Sequence, residues 1–496
     1  MLFGSYLRIL DASRVPQVTG GRPHSSRRRI LFAGVSATVG WFLAKSATAA
    51  GNAKILSGFR AGSLQQVKSV VEVAGELKFN ADGKEVKKLP MTVQADLNYT
   101  ERFLPPENGL IRSVRQYSLA QAKMKINGQD VPQELRADRR LIGSVCKGDD
   151  FRLFSPQGPL TRDELEMLNT VGRTNGIMGL LSNDPVAPGE SWLIPEAPLV
   201  QLLALDAINQ HSVKAEYVED RDSIALIRFE GKVTGAVNGV SSDIELKGSL
   251  NLDLATRRPT WLALVLKENR AIGHAQPGYE AIIKLRTLLE PATELPELGD
   301  NVLAGMSLKG DEGDLLVELT STKAGYSLLL DRRWCTMVDR HEVAVMRYVD
   351  QGDLVAQCNM SPLPPLPKGE QLTLEGFQQD VQKSLGKGFR EFLDASQTVN
   401  ENGLAVLRIS AAGNAQDVAV QYVYYHLTDN NGRRASLVFT YDADLAERFG
   451  GADRALVASF RFIEPTTTAK VPGKSVVAPA RQAQGPALAP LKPAAR

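Results

Sequence analysis

Residues 223–256 read SIALIRFEGKVTGAVNGVSSDIELKGSLNLDLAT and decide the kind of fold that this chain adopts. The dipeptide Asn238-Gly239 in the middle favours a type I′ turn, which joins two antiparallel strands without a longer loop. Five apolar residues after the turn share one parity, which places them on one face of a strand: Ile244, Leu246, Leu250, Leu252 and Leu254. The stretch therefore predicts a long hairpin with one buried face.

Similar strand patterns fill residues 67–290. Alternating apolar positions recur along this range, and Asn127-Gly128 marks another tight turn. Two stretches in the middle have helical spacing instead, at Thr161–Gly172 and Pro198–Ile208. We therefore expect residues 67–290 to form one antiparallel β-rich domain with a helical insertion.

The order and length of these strands, with helices between them, are similar to the half-barrels of exported lipoprotein carriers such as LolA. The resemblance implies a curved sheet with a concave face that could hold an apolar ligand. The residues leave two interpretations open for the apolar stripe of the second predicted helix, which either lines a lipid cavity or packs into a core. The stripe consists of Leu199, Leu202, Leu203 and Leu205.

A second domain is expected after an acidic, glycine-rich linker at 291–324 that carries one short strand. Residues 325–463 have an α+β pattern, in which Thr373 is the expected N-cap of a helix that precedes four strands. The opening GYSLLLDRRW, the helix region LTLEGFQQDVQKSLGKGFREF and the closing RASLVFTYDADLAERFGGADRALVASFRF resemble the PsbP/DcrB family. Asp331 or Arg332 stands where that family usually has proline.

The PsbP/DcrB resemblance implies an α-β-α sandwich around an antiparallel sheet, in a non-enzymatic accessory or assembly factor outside the cytoplasm. The fold class expected for the whole chain is α+β. An antiparallel β-rich half-barrel domain would be followed by a smaller α-β-α sandwich domain.

The first 49 residues are typical of a signal peptide. Arginines precede the apolar run from Ile30 to Ala44, which is shorter than the roughly 20 residues that a membrane-spanning helix needs. Ala47 and Ala49 form the A-x-A pattern of a cleavage site. The mature chain would then begin with a linker at 50–66 and contain no membrane span.

The start of this signal resembles the twin-arginine pattern. Ser26 precedes Arg27 and Arg28, and two apolar residues follow one position later, with Ile30 where phenylalanine is usual. The resemblance implies export of an already folded protein across a bacterial inner membrane, with Arg27 and Arg28 as the recognised residues. The alternatives are an ordinary secretion signal and an uncleaved anchor.

Charge separates the two ends of the chain from its body. Residues 1–49 hold seven of the 58 lysines and arginines and one of the 56 acids, which leaves 51 bases against 55 acids in the remainder. A body of this charge is not expected to bind nucleic acid. Residues 464–496 have six prolines, five bases and no acid after Glu464, so we expect a disordered basic Pro/Ala-rich tail.

No motif in the sequence predicts catalysis, a metal site or a cofactor site. The five histidines lie far apart, and H-E-x-x-H, C-x-x-C and G-x-S-x-G are absent. His426 is expected to be a strand histidine rather than a ligand. Cys335 and Cys358 are candidates for one disulfide, with two buried thiols as the alternative. Aromatic residues on neighbouring strands form either a binding face or sheet packing: Tyr422, Tyr424, Tyr425, Phe439 and Tyr441.

Two functions are compatible with these features. The first is a non-enzymatic protein of the bacterial cell envelope, located in the periplasm or elsewhere outside the cytoplasm, that acts as an interaction or assembly module. Its partner would be another envelope protein or an envelope polymer. The alternative is a periplasmic carrier that holds an apolar ligand or lipid in the first domain.

Overall fold

The computed structural model describes residues 61–80, 85–107, 109–367, 369–415 and 418–464. Six strands come first: β1 (Leu64–Phe79), β2 (Lys87–Phe103), β3 (Ile111–Ile126), β4 (Gln129–Glu134), β5 (Leu141–Lys147) and β6 (Asp150–Phe154).

A helical insertion follows, made of β7 (Leu160–Thr161), α1 (Arg162–Leu168), α2 (Thr174–Met178), β8 (Ser191–Leu193) and α3 (Glu196–Leu203). Thr161 begins α1 with a capping box, because its hydroxyl accepts from the Glu164 amide while the Glu164 carboxylate accepts from the Thr161 amide. The second predicted helix is wrong beyond Leu203. Ala204 adopts a left-handed conformation with φ 53°, which ends α3, and the chain enters a strand instead.

Six more strands complete the first unit: β9 (Ala207–His211), β10 (Lys214–Arg221), β11 (Ile224–Val237), β12 (Val240–Asp253), β13 (Arg258–Arg270) and β14 (Gly278–Pro291). The hairpin predicted around Asn238-Gly239 is confirmed, since Val237 pairs with Val240 across it. Both turn residues have positive φ, 49° and 71°, as a type I′ turn requires.

These strands form one large antiparallel sheet of 13 strands in the order β6-β5-β3-β2-β1-β14-β13-β12-β11-β10-β8, with β4 beside β3 and β9 beside β11. The sheet is open, with β6 and β8 at its two ends. One face, which we call the covered face, carries apolar side chains that pack with those of α1, α2 and α3. The other face carries ion pairs between strands, such as Lys68–Glu290 and Lys232–Glu245.

The segment predicted as a linker packs against the large sheet. It contains a 3₁₀ turn at Pro296–Leu298, the short helix α4 (Asp300–Leu303), a second 3₁₀ turn at Glu312–Leu315 and the strand β15 (Val317–Ser321). Leu298 and Leu303 are buried in one cluster with Val114 and Leu141 of the sheet. The segment therefore covers part of β3 and β5.

The second unit contains β16 (Tyr326–Leu330), β17 (Trp334–Asp339), β18 (Ala344–Asp350), β19 (Asp353–Leu363), α5 (Leu374–Leu385), β20 (Phe389–Val399), β21 (Ala405–Ala415), β22 (Val418–Thr428), β23 (Arg434–Asp442), α6 (Ala446–Phe449), α7 (Ala452–Ser459) and β24 (Arg461–Phe462). Thr373 caps α5 as expected, because its hydroxyl accepts from the Gly376 amide. The expected last helix is broken at Gly450-Gly451, where both φ values are positive.

Seven strands of the second unit form an antiparallel sheet in the order β17-β18-β19-β23-β22-β21-β20. A separate four-stranded sheet has the order β24-β16-β15-β7. In that small sheet, β7 from the insertion of the first unit pairs in parallel with β15. Because β15 also pairs with β16, backbone hydrogen bonds connect the insertion to the second unit through the strand of the linking segment.

Candidate functional site

The three insertion helices fill the covered face of the large sheet. The apolar stripe Leu199, Leu202, Leu203 and Leu205 lies there, and each of these residues is at most 1% exposed. Ile177 of α2 belongs to the same core cluster as Leu264 and Leu285 of the sheet. Of the two interpretations of the stripe, the structure shows core packing.

Charged residues are also buried on the covered face. The Arg115 guanidinium on β3 lies 2.9 Å from the Glu101 carboxylate on β2, and both side chains are at most 4% exposed. Gln65, Ser113 and Thr174 donate further hydrogen bonds to Glu101. Burial alone would lower the pKa of Arg115, but Glu101, together with Tyr99 and Tyr117, more than offsets it, so the pKa is raised and Arg115 stays charged.

A second buried pair lies on β13, where the Arg270 Nη2 is 2.6 Å from a Glu268 carboxylate oxygen. The Ser242 hydroxyl donates to the same oxygen at 2.6 Å, and the Arg270 guanidinium lies 4.9 Å from the ring centre of Tyr279. Both pairs are enclosed by apolar neighbours, so they resemble stabilised structural ion pairs more than exposed catalytic groups.

A third arginine, Arg173 before α2, is 7% exposed and has a different environment. Its Nη1 donates to Gln201 Oε1 at 3.2 Å and its Nη2 donates to Asn169 Oδ1 at 2.6 Å. The Phe151 ring centre lies 4.1 Å from the guanidinium carbon. Burial lowers the pKa of Arg173 to about 10.

The predicted family opening DRRW lies at the contact between the two units. Arg332 donates from Nε to the Leu315 carbonyl at 2.7 Å and from Nη2 to the Leu153 carbonyl of β6. In return, Arg162 of α1 donates to the carbonyls of Arg332 and Trp334 at 2.6 and 2.9 Å. Three of these four hydrogen bonds join the two units, and the one to Leu315 joins Arg332 to the segment between them.

Two hairpin turns make a second contact between the units. A Cβ on Gly239 would lie 2.4 Å from Gly352 Cα, so the backbones of the two glycines touch. Nearby, the Arg347 guanidinium donates to the His274 carbonyl. Close approach of this kind needs glycine at both positions.

His426 lies on β22 beneath α5 and is 3% exposed, as expected for a strand histidine. Its Nδ1 lies 3.2 Å from the Thr428 hydroxyl, and its ring centre lies 5.8 Å from that of Phe377. Burial, followed by the charge of Arg434, lowers the pKa of His426 to about 4. The imidazole is therefore neutral near neutral pH.

The five aromatic residues for which the sequence leaves a binding face and sheet packing open are divided between the two faces of the sheet. Tyr422 and Tyr424 pack beneath α5. Phe439 packs instead against Trp334, with ring centres 5.7 Å apart, in a cluster with Phe449. Tyr425 and Tyr441 belong to that second cluster. The aromatic residues are thus sheet packing on both sides and make no continuous binding face.

The structure does not bring Cys335 and Cys358 together. Cys335 on β17 pairs with Arg347, and Cys358 on β19 pairs with Met346. Since Met346 and Arg347 are consecutive on the intervening strand β18, the two cysteines point to opposite faces of the sheet. All three cysteines are free, and a Cys335–Cys358 disulfide does not fit this arrangement.

The predicted signal residues Arg27, Arg28, Ala47 and Ala49 lie outside the described residues, as does nearly all of the predicted tail 464–496. Within the described ranges, no group of three or more His, Cys, Asp or Glu side chains is placed to hold a metal ion. The helices of the described part are all too short or too polar to cross a membrane.

An open cavity of about 330 Å³ lies where the segment at 296–306 packs against the large sheet. It is lined by Gln116, Leu141, Gln157, Pro296, Glu297, Val302 and Met306. This cavity is distinct from the covered face, whose side chains are buried.

Sequence reasoning missed the buried charged residues. A signal for them exists, because Glu268 and Arg270 share the parity of Leu264 and Leu266 along β13. A charged residue at an inward position of an alternating strand predicts a buried ion pair. The partner, however, depends on strand register, which one sequence does not specify.

Comparison with known proteins finds weak similarity to solved structures and no other match. A scan against protein-family models finds no match, and a search of curated proteins finds none. The solution structure of cyanobacterial PsbP (CyanoP) from Synechocystis sp. PCC 6803 is 18% identical, over 32% of this chain and 97% of that chain, with a TM-score of 0.25.

Two further structures are similar over part of their length. A structure titled for lipid–protein interactions in lipovitellin is 8% identical over 48% of this chain and 26% of that chain, with a TM-score of 0.26. A Bacteroides thetaiotaomicron VPI-5482 protein is 10% identical over 29% of this chain and 47% of that chain, with a TM-score of 0.22. TM-scores of this size carry no argument about function.

Proposed function

We propose that this chain is an exported, non-enzymatic protein of the bacterial cell envelope that acts as an interaction or assembly module. The observation that carries the proposal is that α1, α2 and α3 fill the covered face of the large sheet with side chains such as Leu199 and Leu202, both 0% exposed. The two units are also held together by the Arg162 and Arg332 hydrogen bonds. The outer surface is then the part of the molecule available to a partner protein or polymer.

The edge strand β20 is the part of that surface most suited to a partner. It pairs with β21 on one side, and no described strand pairs with its other side. Leu393 and Val399 on this strand are 48% and 69% exposed. A free strand edge with exposed apolar side chains is a common place for another chain to bind.

Site-specific cross-linking in cells tests this proposal. A photo-cross-linking amino acid at position 393 is expected to give a discrete adduct with one envelope partner. The matched control is position 265, where Val265 is 47% exposed on the outer face of β13. Absence of an adduct at 393, or the same pattern at both positions, would contradict a partner on the β20 edge.

Export is proposed on the signal pattern alone. A fusion of residues 1–60 to a reporter that is active only when folded before transport is expected to lose its signal in the double variant Arg27→Lys, Arg28→Lys. An unchanged signal would contradict the twin-arginine route. Location in the periplasm, or elsewhere outside the cytoplasm, belongs to the same proposal.

The α-β-α layering of the second unit is also part of the proposal. It is supported by α5, which buries Phe377 and Val381 against Leu407 and Ile409. The helices α6 and α7 contribute Phe449 and Leu456 to a different cluster, the one that contains Trp334. The two sets of helices thus pack with different side chains of the seven-stranded sheet.

The second candidate function is a carrier of an apolar ligand or lipid. The observation that favours it is the length of the strands whose side chains form the covered face. The strand β2 has 17 residues, and along most of it buried side chains alternate with more exposed ones. In a carrier, the insertion helices would have to leave this face when the ligand binds. Native mass spectrometry for a co-purified lipid separates this function from the first.

A further inference from the structure

The three arginines buried on the covered face differ in their partners. Arg115 and Arg270 each have a carboxylate within hydrogen-bond distance, from Glu101 and Glu268. In the described part of the chain, Arg173 makes no ion pair, and its guanidinium donates to the amide oxygens of Gln201 and Asn169. A buried guanidinium whose direct contacts are all neutral is costly, because the more distant charge of Asp206 offsets only part of the desolvation.

Two hydrogen-bond donors beside Arg173 have no oxygen or nitrogen acceptor among the described residues. They are Arg173 Nε itself and the Asn175 amide nitrogen Nδ2, and both atoms are buried. The Asn175 amide contacts the Cys146 thiol, whose sulfur is a weak acceptor. Buried donors are nearly always satisfied, so two such donors separated by one residue call for an acceptor that the chain itself does not supply. A cation and two free donors together match the oxygen atoms of an anion.

This cluster lies directly beneath the protein surface. Gln201, which holds the Arg173 guanidinium, donates from Nε2 to the carbonyls of Gly148 and Asp149 at 3.2 and 3.3 Å. Those two residues form the exposed turn between β5 and β6. The Cys146 thiol at the end of β5 donates to the same Gly148 carbonyl at 3.5 Å. Access of a solute to Arg173 from this side would require the turn to move.

We propose that Arg173 and Asn175 form a binding site for an oxyanion, the carboxylate or phosphate group of a small ligand, beneath the turn between β5 and β6. The oxyanion accepts hydrogen bonds from Arg173 Nε and Asn175 Nδ2 and supplies the negative charge that Arg173 lacks. Phe151, against the guanidinium, keeps that donor group in place by cation–π contact. The site goes beyond the interaction module, which does not require it.

Calorimetric titration of the purified full chain with sodium phosphate, sodium acetate and sodium octanoate, at constant ionic strength, tests the site. The wild type is expected to bind at least one of these anions saturably at one site per chain. The variant Arg173→Gln is expected to bind it at least about tenfold more weakly. The control Arg152→Gln removes the same charge from β6, where the Arg152 side chain is 43% exposed and paired with Asp150, and it should bind as the wild type does.

The three anions distinguish the source of the oxyanion. Binding of phosphate without octanoate indicates a free inorganic or phosphorylated ligand, whereas octanoate binding tighter than acetate binding indicates a carboxylate with an apolar chain. Either result supports the site if Arg173→Gln weakens it. Lack of saturable binding for all three anions, or equal affinity in Arg173→Gln, would overturn the proposal.

A second variant covers the case in which Arg173→Gln does not fold. Asn175→Leu removes one of the two free donors and leaves the charge of Arg173 in place. It is expected to bind the anion several-fold more weakly and to unfold at a temperature close to that of the wild type. Unchanged affinity in Asn175→Leu would contradict the proposed site.

Discussion

Arg332 of the second unit donates a hydrogen bond to the carbonyl of Leu153 in β6 of the first unit. The Arg332 side chain is partly buried, and burial, followed by the charge of Arg162, lowers the pKa of Arg332 to about 10. A second hydrogen bond, from Arg332 Nε to the Leu315 carbonyl at 2.7 Å, fixes the orientation of the guanidinium. The contact between the units is therefore specific and polar.

Replacement of Arg332 by methionine should loosen this contact. Arg332→Met leaves two carbonyls without donors, and hydrogen bonds to charged groups contribute about 1.5–3 kcal/mol each, so we expect a loss of at least about 3 kcal/mol in the free energy of unfolding. Urea unfolding followed by circular dichroism measures it. The control Arg333→Met removes a 48% exposed side chain that pairs locally with Asp331, which should cost at most about 1 kcal/mol. Equal losses in both variants would contradict the role of Arg332.

The contact between hairpin turns makes a second prediction. Gly239→Ala places a Cβ against the Gly352 backbone, whereas Gly128→Ala occupies the same position of another Asn-Gly turn with no atom within 4 Å. Both glycines have positive φ, 71° and 82°, so both variants lose about 1 kcal/mol from backbone strain. Gly239→Ala should lose at least about 1 kcal/mol more through the clash. Thermal unfolding of the two variants in parallel checks this, and equal melting temperatures would show that the turns do not touch.

His426 predicts a dependence of stability on pH. Its pKa is lowered from 6.5 in the unfolded chain to about 4 in the fold, so between these values the unfolded state binds more protons. The stability that the fold gains from a neutral His426 is fully present above pH 6.5 and is lost as the pH falls towards 4. We expect the full loss to amount to about 3 kcal/mol.

The variant His426→Phe isolates this effect from the carboxylates that titrate in the same range. The free energy of unfolding is measured at pH 7.5 and pH 4.5 for both proteins, and the wild type should lose more stability than the variant. Phenylalanine fits the site because the histidine ring already lies 5.8 Å from that of Phe377. The same loss in both proteins would mean that His426 is protonated in the fold.

The cysteines should remain thiols even in an oxidising solution. Cys335 and Cys358 point to opposite faces of their sheet, and burial raises the pKa of both thiols, which makes them unreactive in the fold. After denaturation without a reductant, mass spectrometry should show alkylation of all three cysteines. Alkylation of Cys146 alone would mean that a disulfide joins the other two and that the register of β17 to β19 is different.

Turns and helix caps were predictable from the sequence. Features that depend on which strands pair, and on how the paired strands align, were not. The turn at Asn238-Gly239 follows from the residues themselves, because few dipeptides favour two consecutive positive φ values. The start of α5 at Thr373 follows from its capping hydroxyl. In contrast, Ala204 ends α3 in a left-handed conformation that its sequence does not favour, so the extra helical turns expected up to Ile208 were wrong.

The candidate site was harder to predict for the same reason. Parity shows that Tyr424 and Tyr425 point to opposite faces, but the partners of Tyr424 come from α5, and the Tyr425 hydroxyl donates to Asp453 of α7. Arg173 lies outside any strand, between two short helices, where no periodicity indicates burial. Its environment arises from Phe151 and Gln201, which only the fold brings to it.

Native mass spectrometry of the gently purified protein tests the central claim most directly, namely that the insertion helices fill the covered face and that the protein acts through its surface. The account predicts the mass of the polypeptide, with at most a small anion attached. A stoichiometric lipid or other apolar molecule, released when Leu202→Glu disturbs the core, would contradict it. The protein would then be a carrier whose helices α1, α2 and α3 open to admit the ligand.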